Sequence, residues 1–331
     1  MDGQLLFDYV DMFLRQEGMK PQSFSDAIRD RFSAYELGDI AACEFASEVR
    51  PFRKSVDITS VDGQREYDCP PDFISISMQE RVGRKDVILY KESGSNEPDV
   101  IVREPRKNFW ANDSTIEQNT PNSFDIISKA LAPATITGTT TSAGAVSDGQ
   151  ATLTNTAATF ETSGSGLVYP RYRVRNTSTG NKSMGIVISR ESDTTLVTSL
   201  YNEDAPRGYD SGDGYVIQVS NKFQIQFDYP CNTSGDTITM EYYSYPSPVF
   251  SPYAQWGFSD SANILGLAAY VVWLLKLRQV DQDFMPRQNV NLSKFASDRM
   301  YLLYRNQVDR AVIERQKRLG STEPVALLGV L

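Results

Sequence analysis

Two hydrophobic patterns divide this chain, and their order limits what it can build. Apolar residues recur at helical spacing near both ends, whereas the long middle alternates at period two among Ser, Thr and Gly. Neither helical end can bury its apolar stripe alone. The two ends are therefore expected to pack together as one body that carries inserted β-structure. With 331 residues the chain has room for roughly two domains of about 100–200 residues each.

Leu5, Leu6, Tyr9, Val10, Phe13 and Leu14 predict an amphipathic helix over 2–19. Ser23 or Ser25 opens a second helical segment that runs, broken near Gly38, to about Val49. From Val56 the period is two, with Ile74, Ile76 and Met78 on a half-buried strand and further strands at 87–90 and 126–128. Short β-runs about ten residues apart, separated by Gly/Asn/Asp turns, fill 133–219 and predict a small sandwich or barrel. Phe223, Ile225, Phe227 and Tyr229, followed by Ile238, Met240 and Tyr242, read as the two arms of a β-hairpin. Ser259 and Ser293 then cap two final helices, the first holding the apolar run Ile264–Leu275, too short to span a bilayer, which needs about 20 residues.

The expected fold class is α+β. Helices at the two termini form one helical bundle (1–52 with 250–320), a central β-sheet layer occupies 53–132 with 220–249, a small β-sandwich or barrel is inserted at 133–219, and an apolar tail covers 321–331.

The chain has no histidine, which removes Ser-His-Asp and Cys-His catalysis and every His-containing metal site. Cys43, Cys69 and Cys231 are far apart, odd in number and without Cys-x-x-Cys spacing, so neither a disulfide framework nor a zinc site is expected. No phosphate-binding loop or dinucleotide fingerprint is present. The stretch Asp210-Ser211-Gly212-Asp213-Gly214 lacks the further acids of a calcium loop and reads as an acidic turn. The expectation is a non-enzyme without metal or cofactor. No secretory signal is visible at the N-terminus, which fits a reducing cytoplasm, and no membrane partner is expected.

Net charge is −9, unlike a general nucleic-acid binder. The charge is uneven: residues 293–331 carry +3, leaving −12 for residues 1–292. A basic last helix suits either an acidic partner surface or a solvated face. Its candidate contact residues are Arg305, Arg310, Arg315, Lys317 and Arg318, continued by the apolar Val325, Leu327, Leu328 and Leu331. An uncharged apolar tail docks either on its own body or on a neighbour.

The run Tyr67-Asp68-Cys69-Pro70-Pro71-Asp72-Phe73 resembles the Tyr-x-Leu-Pro-x-Asp-Phe strand of tailed-bacteriophage head-to-tail adaptor proteins, also called connector or head-completion proteins. Pro121–Phe124 matches their Pro-x-x-Phe segment. The runs Phe223–Tyr229 and Asp236–Pro246 look like their paired strands ending in Tyr-Tyr-x-x-Pro, and an apolar helix and a basic helix follow in the same order. The likeness covers roughly 1–130 and 220–320; Cys69 stands where an aliphatic residue is usual, and 133–219 is extra.

The resemblance implies a homo-oligomeric ring of about twelve copies at the head–tail interface of a virion, assembled in the host cytoplasm. It implies contact with a portal protein through Ser293–Leu331, contact with tail, nozzle or fibre proteins, and passage of double-stranded DNA without sequence-specific binding. An acidic channel suits that passage, because it repels phosphate. A different class of function remains open at this stage: a β-rich receptor- or carbohydrate-binding virion or tail protein acting through 133–219.

Overall fold

The computed structural model of this chain describes residues 2–17, 34–79, 85–105, 120–128, 135–147, 150–160, 168–178, 184–201, 208–219, 222–248, 261–283 and 298–318. Four helices lie among them: α1 (Asp2–Gln16), α2 (Ala34–Val49), α3 (Ser261–Asp283) and α4 (Arg299–Arg318). The strands run β1 (Phe52–Thr59), β2 (Glu66–Asp68), β3 (Phe73–Ile76), β4 (Val87–Lys91), β5 (Asp99–Arg103) and β6 (Ser123–Ser128). They continue as β7 (Thr135–Thr139), β8 (Val146–Ser147), β9 (Gln150–Thr154), β10 (Arg173–Asn176), β11 (Met184–Ser192), β12 (Thr195–Tyr201), β13 (Gly214–Gln218), β14 (Phe223–Phe227) and β15 (Thr237–Ser244).

This corrects the expected fold class. Strand outweighs helix, 38% to 29%, and the chain is mostly β, with two sheets of which one nearly closes into a barrel. A bundle-dominated α+β fold gave too little weight to strands whose side chains face water. β1 faces water through Arg53, Lys54 and Ser55 and alternates only from Val56, and β5 shows a single buried residue, so the alternation that marks a strand is cut short in the first and lacking in the second.

The chain divides into two units: Met1–Val49 with Thr137–Ile217 and Pro246–Leu331, and Arg50–Ile136 with Gln218–Tyr245. In the first, α3 packs against α1, α2 and α4, and α2 also packs against α4. The reason lies in α3 itself. Leu267, Ala268, Ala269, Val271 and Val272 are fully buried, so it is apolar around much of its circumference and needs neighbours on several sides. Among the described residues no helix is long and apolar enough to cross a membrane. α2 runs through Gly38 without the expected break. It stops at Arg50, whose φ of 52° is the left-handed conformation common just after a helix, and Pro51 prevents continuation.

The remainder of this unit is a seven-stranded sheet in the order β7-β13-β10-β11-β12-β9-β8. Alternation makes its interior: Ala151 and Leu153 on β9, Val174 on β10, Tyr215 and Ile217 on β13 all point inward. The sheet's two edge strands, β7 and β8, are consecutive in the chain and joined by residues 140–145. Seven strands at about 4.8 Å spacing are about 29 Å wide. Seven Cα–Cα steps reach only about 24 Å, so the sheet must curl to bring its edges together. Gly144 sits in that closing turn, donating its N–H to the Tyr209 carbonyl, and a β-carbon there would fall on the carbonyl oxygen of Thr152. Gly144→Ala should therefore cost about 1–3 kcal/mol; chemical denaturation checks it, and a neutral variant would refute the close approach.

The second unit holds an eight-stranded sheet ordered β1-β15-β4-β5-β6-β14-β2, with β3 pairing β15 beside β4. Its edge strands β1 and β2 are again consecutive, joined by residues 60–65, so this sheet curls for the same reason. β15 alternates without exception, with Ile238, Met240, Tyr242 and Ser244 inward. The expected β14–β15 hairpin does not form. β14 pairs with β2 and β6, β15 pairs with β1, β3 and β4, and three strands separate them in the sheet. The connection is held away from a tight turn because Cys231 N–H donates to Gln64 O and Gly235 N–H to Ser60 O, tying it to the β1–β2 turn.

Candidate interaction surface on the last helix

The residues behind the adaptor resemblance have internal roles in the second unit. The Tyr67 hydroxyl donates to the carbonyls of Val61 and Gln64, closing the β1–β2 turn. Cys69 is fully buried, and that burial pushes its thiol far above the usual range, so it acts as a small hydrophobe. Asp72 accepts from the Tyr242 hydroxyl at 3.0 Å and from Lys54 at 2.5 Å, while its carbonyl takes the Tyr245 N–H. Phe73 and Phe124 lie in the core.

Of the basic residues expected to meet a partner, α4 turns some inward. Asp298 caps the helix, accepting the Met300 N–H at 2.8 Å, so the described helix begins at Arg299; Ser293 lies outside the described residues. The other Asp298 oxygen takes Lys276 of α3, which also reaches Glu17 at the end of α1. Burial works against the Lys276 charge, but these two carboxylates outweigh it and hold the ammonium above its ordinary value.

Arg305 donates from Nη1 to both Glu48 oxygens of α2, at 2.7 and 2.6 Å, and the two side chains are only 24% and 30% exposed. Arg315 donates to the Val49 carbonyl, capping the C-terminal end of α2. Arg305 and Arg315 thus pin α4 to α2. Arg310 is exposed and, among the described residues, pairs with Glu314 one turn on, and Lys317 is exposed. The side chain of Arg318 and the whole of Val325, Leu327, Leu328 and Leu331 lie outside the described residues.

Arg305→Ala should cost about 2 kcal/mol, since it strands Glu48 in a half-dry setting. Arg310→Ala and Lys317→Ala should each stay within about 0.5 kcal/mol. Thermal melts of the three variants check the contrast, and equal effects would contradict it.

An aromatic ladder that sequence reading did not single out joins α3 to α4. Tyr270 stacks on Trp273 at 5.3 Å and meets Tyr304, tilted, at 4.3 Å, and Trp273 meets Tyr301 at 4.9 Å. The signal was present as Tyr270/Trp273 and Tyr301/Tyr304, each pair three apart and so on one helix face. Burial, then the nearby Glu44, pushes the Tyr270 phenol up to about 12. The Tyr304 hydroxyl is buried with no hydrogen-bond partner among the described residues. At Gly266 the helices touch closely: a β-carbon would sit 2.8 Å from Gln307 Cβ. Leu302, on α4, is 37% exposed.

Among the described residues no group of three or more acidic or cysteine side chains is placed to hold a metal ion. No protein-family model, curated protein or solved structure matches this chain.

Proposed function

We propose that this chain is a structural virion protein, a head-to-tail adaptor that joins a portal to a tail and continues the DNA channel. It works as a closed ring of about twelve copies. The observation that carries the reading is the packing of both chain ends into one helical body, α1 and α2 against α3, and α2 against α4. Lys317, exposed in the last turn of α4, is followed in sequence by 319–331, the segment this reading assigns to the arm. Arg310 and Lys317 supply charge for an acidic portal surface, and Val325, Leu327, Leu328 and Leu331 supply an apolar anchor. The acidic remainder of the chain repels passing DNA and lets it slide.

Deletion of residues 321–331 tests the arm. The shortened protein should stay soluble and lose co-purification with the portal ring. Undiminished portal binding by the deletion would refute the arm.

A further inference from the structure

The seven-stranded sheet is joined to the rest of the chain in an unusual way. β7 follows from β6 and β13 leads to β14, so both covalent connections run to strands of the second unit. Yet the sheet belongs with the helices in the first unit. What holds it to them is therefore non-covalent.

Arg171 is placed to do this. It precedes β10 and has a φ of 75°, one of two non-glycine residues with positive φ among those described. The left-handed conformation costs an arginine about 1–2 kcal/mol, so its surroundings must hold it. Its N–H donates to the Val187 carbonyl at 2.7 Å, fixing the backbone to β11. Its side chain, 12% exposed, reaches across to α2. Nη1 donates to Asp39 Oδ2 at 3.0 Å and Nη2 to Asp39 Oδ1 at 2.9 Å, a fork-to-fork pair. Nε and Nη2 also donate to the Pro246 carbonyl, at 3.0 and 2.6 Å. One guanidinium thereby gathers the sheet, α2 and the first residue after β15 that belongs to the helical unit.

The interior of the sheet does not depend on this side chain. Val174, Val187, Leu196, Tyr215 and Ile217 close it without the arginine head group. A nearly buried ion pair adds little net stability over an apolar contact, but its geometry admits one arrangement. Backbone strain retained at such a residue marks a position where orientation matters.

We propose that Arg171 is a latch: its pairing with Asp39 and the Pro246 carbonyl fixes the seven-stranded sheet on α2, and opening that pairing frees the folded sheet to move as a piece. A ligand or partner that competes for the Arg171 guanidinium or the Asp39 carboxylate would release it.

Hydrogen exchange read by mass spectrometry on the full chain tests this, with Arg171→Ala and Asp39→Asn as separate variants and small-angle scattering alongside. Both variants should enlarge the radius of gyration, while the amides of β10 and of the β11–β12 ladder keep their protection because the sheet moves as one folded piece. Three results would overturn the latch. One is an unchanged radius of gyration in both variants. Another is loss of β11–β12 protection together with the contact, which would make the pair part of the sheet's own folding. The third is a response to Arg171→Ala without one to Asp39→Asn, which would assign the effect to the strained backbone.

Discussion

Phe227→Ala should destabilise the second unit by about 4 kcal/mol, a loss on the order of 10–15 °C in its melting temperature. Phe227 is fully buried at the end of β14, between β2 and β6. Its ring meets Tyr67 edge-on at 5.7 Å and Tyr90 at 6.2 Å, so truncation leaves two aromatic faces without a neighbour. Its backbone is equally engaged: the N–H donates to Arg65 O, and its carbonyl accepts Arg65 Nε at 2.8 Å. The backbone bonds survive the substitution, so the loss reports the cavity and the stripped contacts. Phe227→Leu fills most of that volume and should cost less than about 1.5 kcal/mol. Chemical denaturation of both variants separates the two. An alanine variant within about 1 kcal/mol of the parent would mean that this core collapses around the gap.

Asp236→Ala should cost about 3–5 kcal/mol. The residue begins the approach to β15, is 3% exposed, and serves as the acceptor for three donors. Tyr90 Oη and Ser93 N–H each reach it at 2.7 Å, and Thr233 Oγ1 at 2.5 Å. Alanine removes all three acceptor bonds and leaves the Tyr90 hydroxyl in an apolar core, whereas Asp236→Asn keeps the shape and gives up the charge at about half that cost. Burial alone would raise the carboxyl's pKa, but the bonds from Thr233, Ser93 and Tyr90 together outweigh it and hold the group below the usual carboxylate range. A depressed folded value has one sign. The stabilisation is complete above the unfolded carboxylate pKa of about 3.9 and is lost as pH falls through the folded value. The parent should therefore lose more stability than Asp236→Asn between about pH 5 and the acid limit of folding. Parallel curves for the two proteins would show that the carboxylate is not the acid-sensitive group.

How much of this was legible in the residues depended on whether side chains or partners carried the information. β15 could be read because Ile238, Met240 and Tyr242 alternate with Thr239, Glu241 and Tyr243. α3 could be read from the run around Leu267–Val272, whose density exceeds what one buried face needs. β1 was seen only from Val56, four residues late, because Arg53, Lys54 and Ser55 are exposed. Pairing was less accessible than elements. Nearness in sequence suggested β14 beside β15, but the anchoring of Cys231 and Gly235 to the β1–β2 turn depends on residues some 170 positions away. The same distance hid the site. Arg305 was recognised as basic, but Glu48, which takes its charge, lies 257 residues earlier. Nothing around Arg171 in sequence announces Asp39 or Pro246. Positive charge on a helix is visible from the chain; whether that charge faces inward or outward is decided by the partner.

The most direct test of the adaptor proposal is assembly. The full-length chain, alone and after mixing with a portal ring, can be weighed by light scattering and imaged by negative stain. An adaptor should give closed rings with a mass about twelve times the 37.0 kDa protomer, free or seated on the portal. A chain that stays monomeric at high concentration and still forms no ring when the portal is present would contradict the proposal.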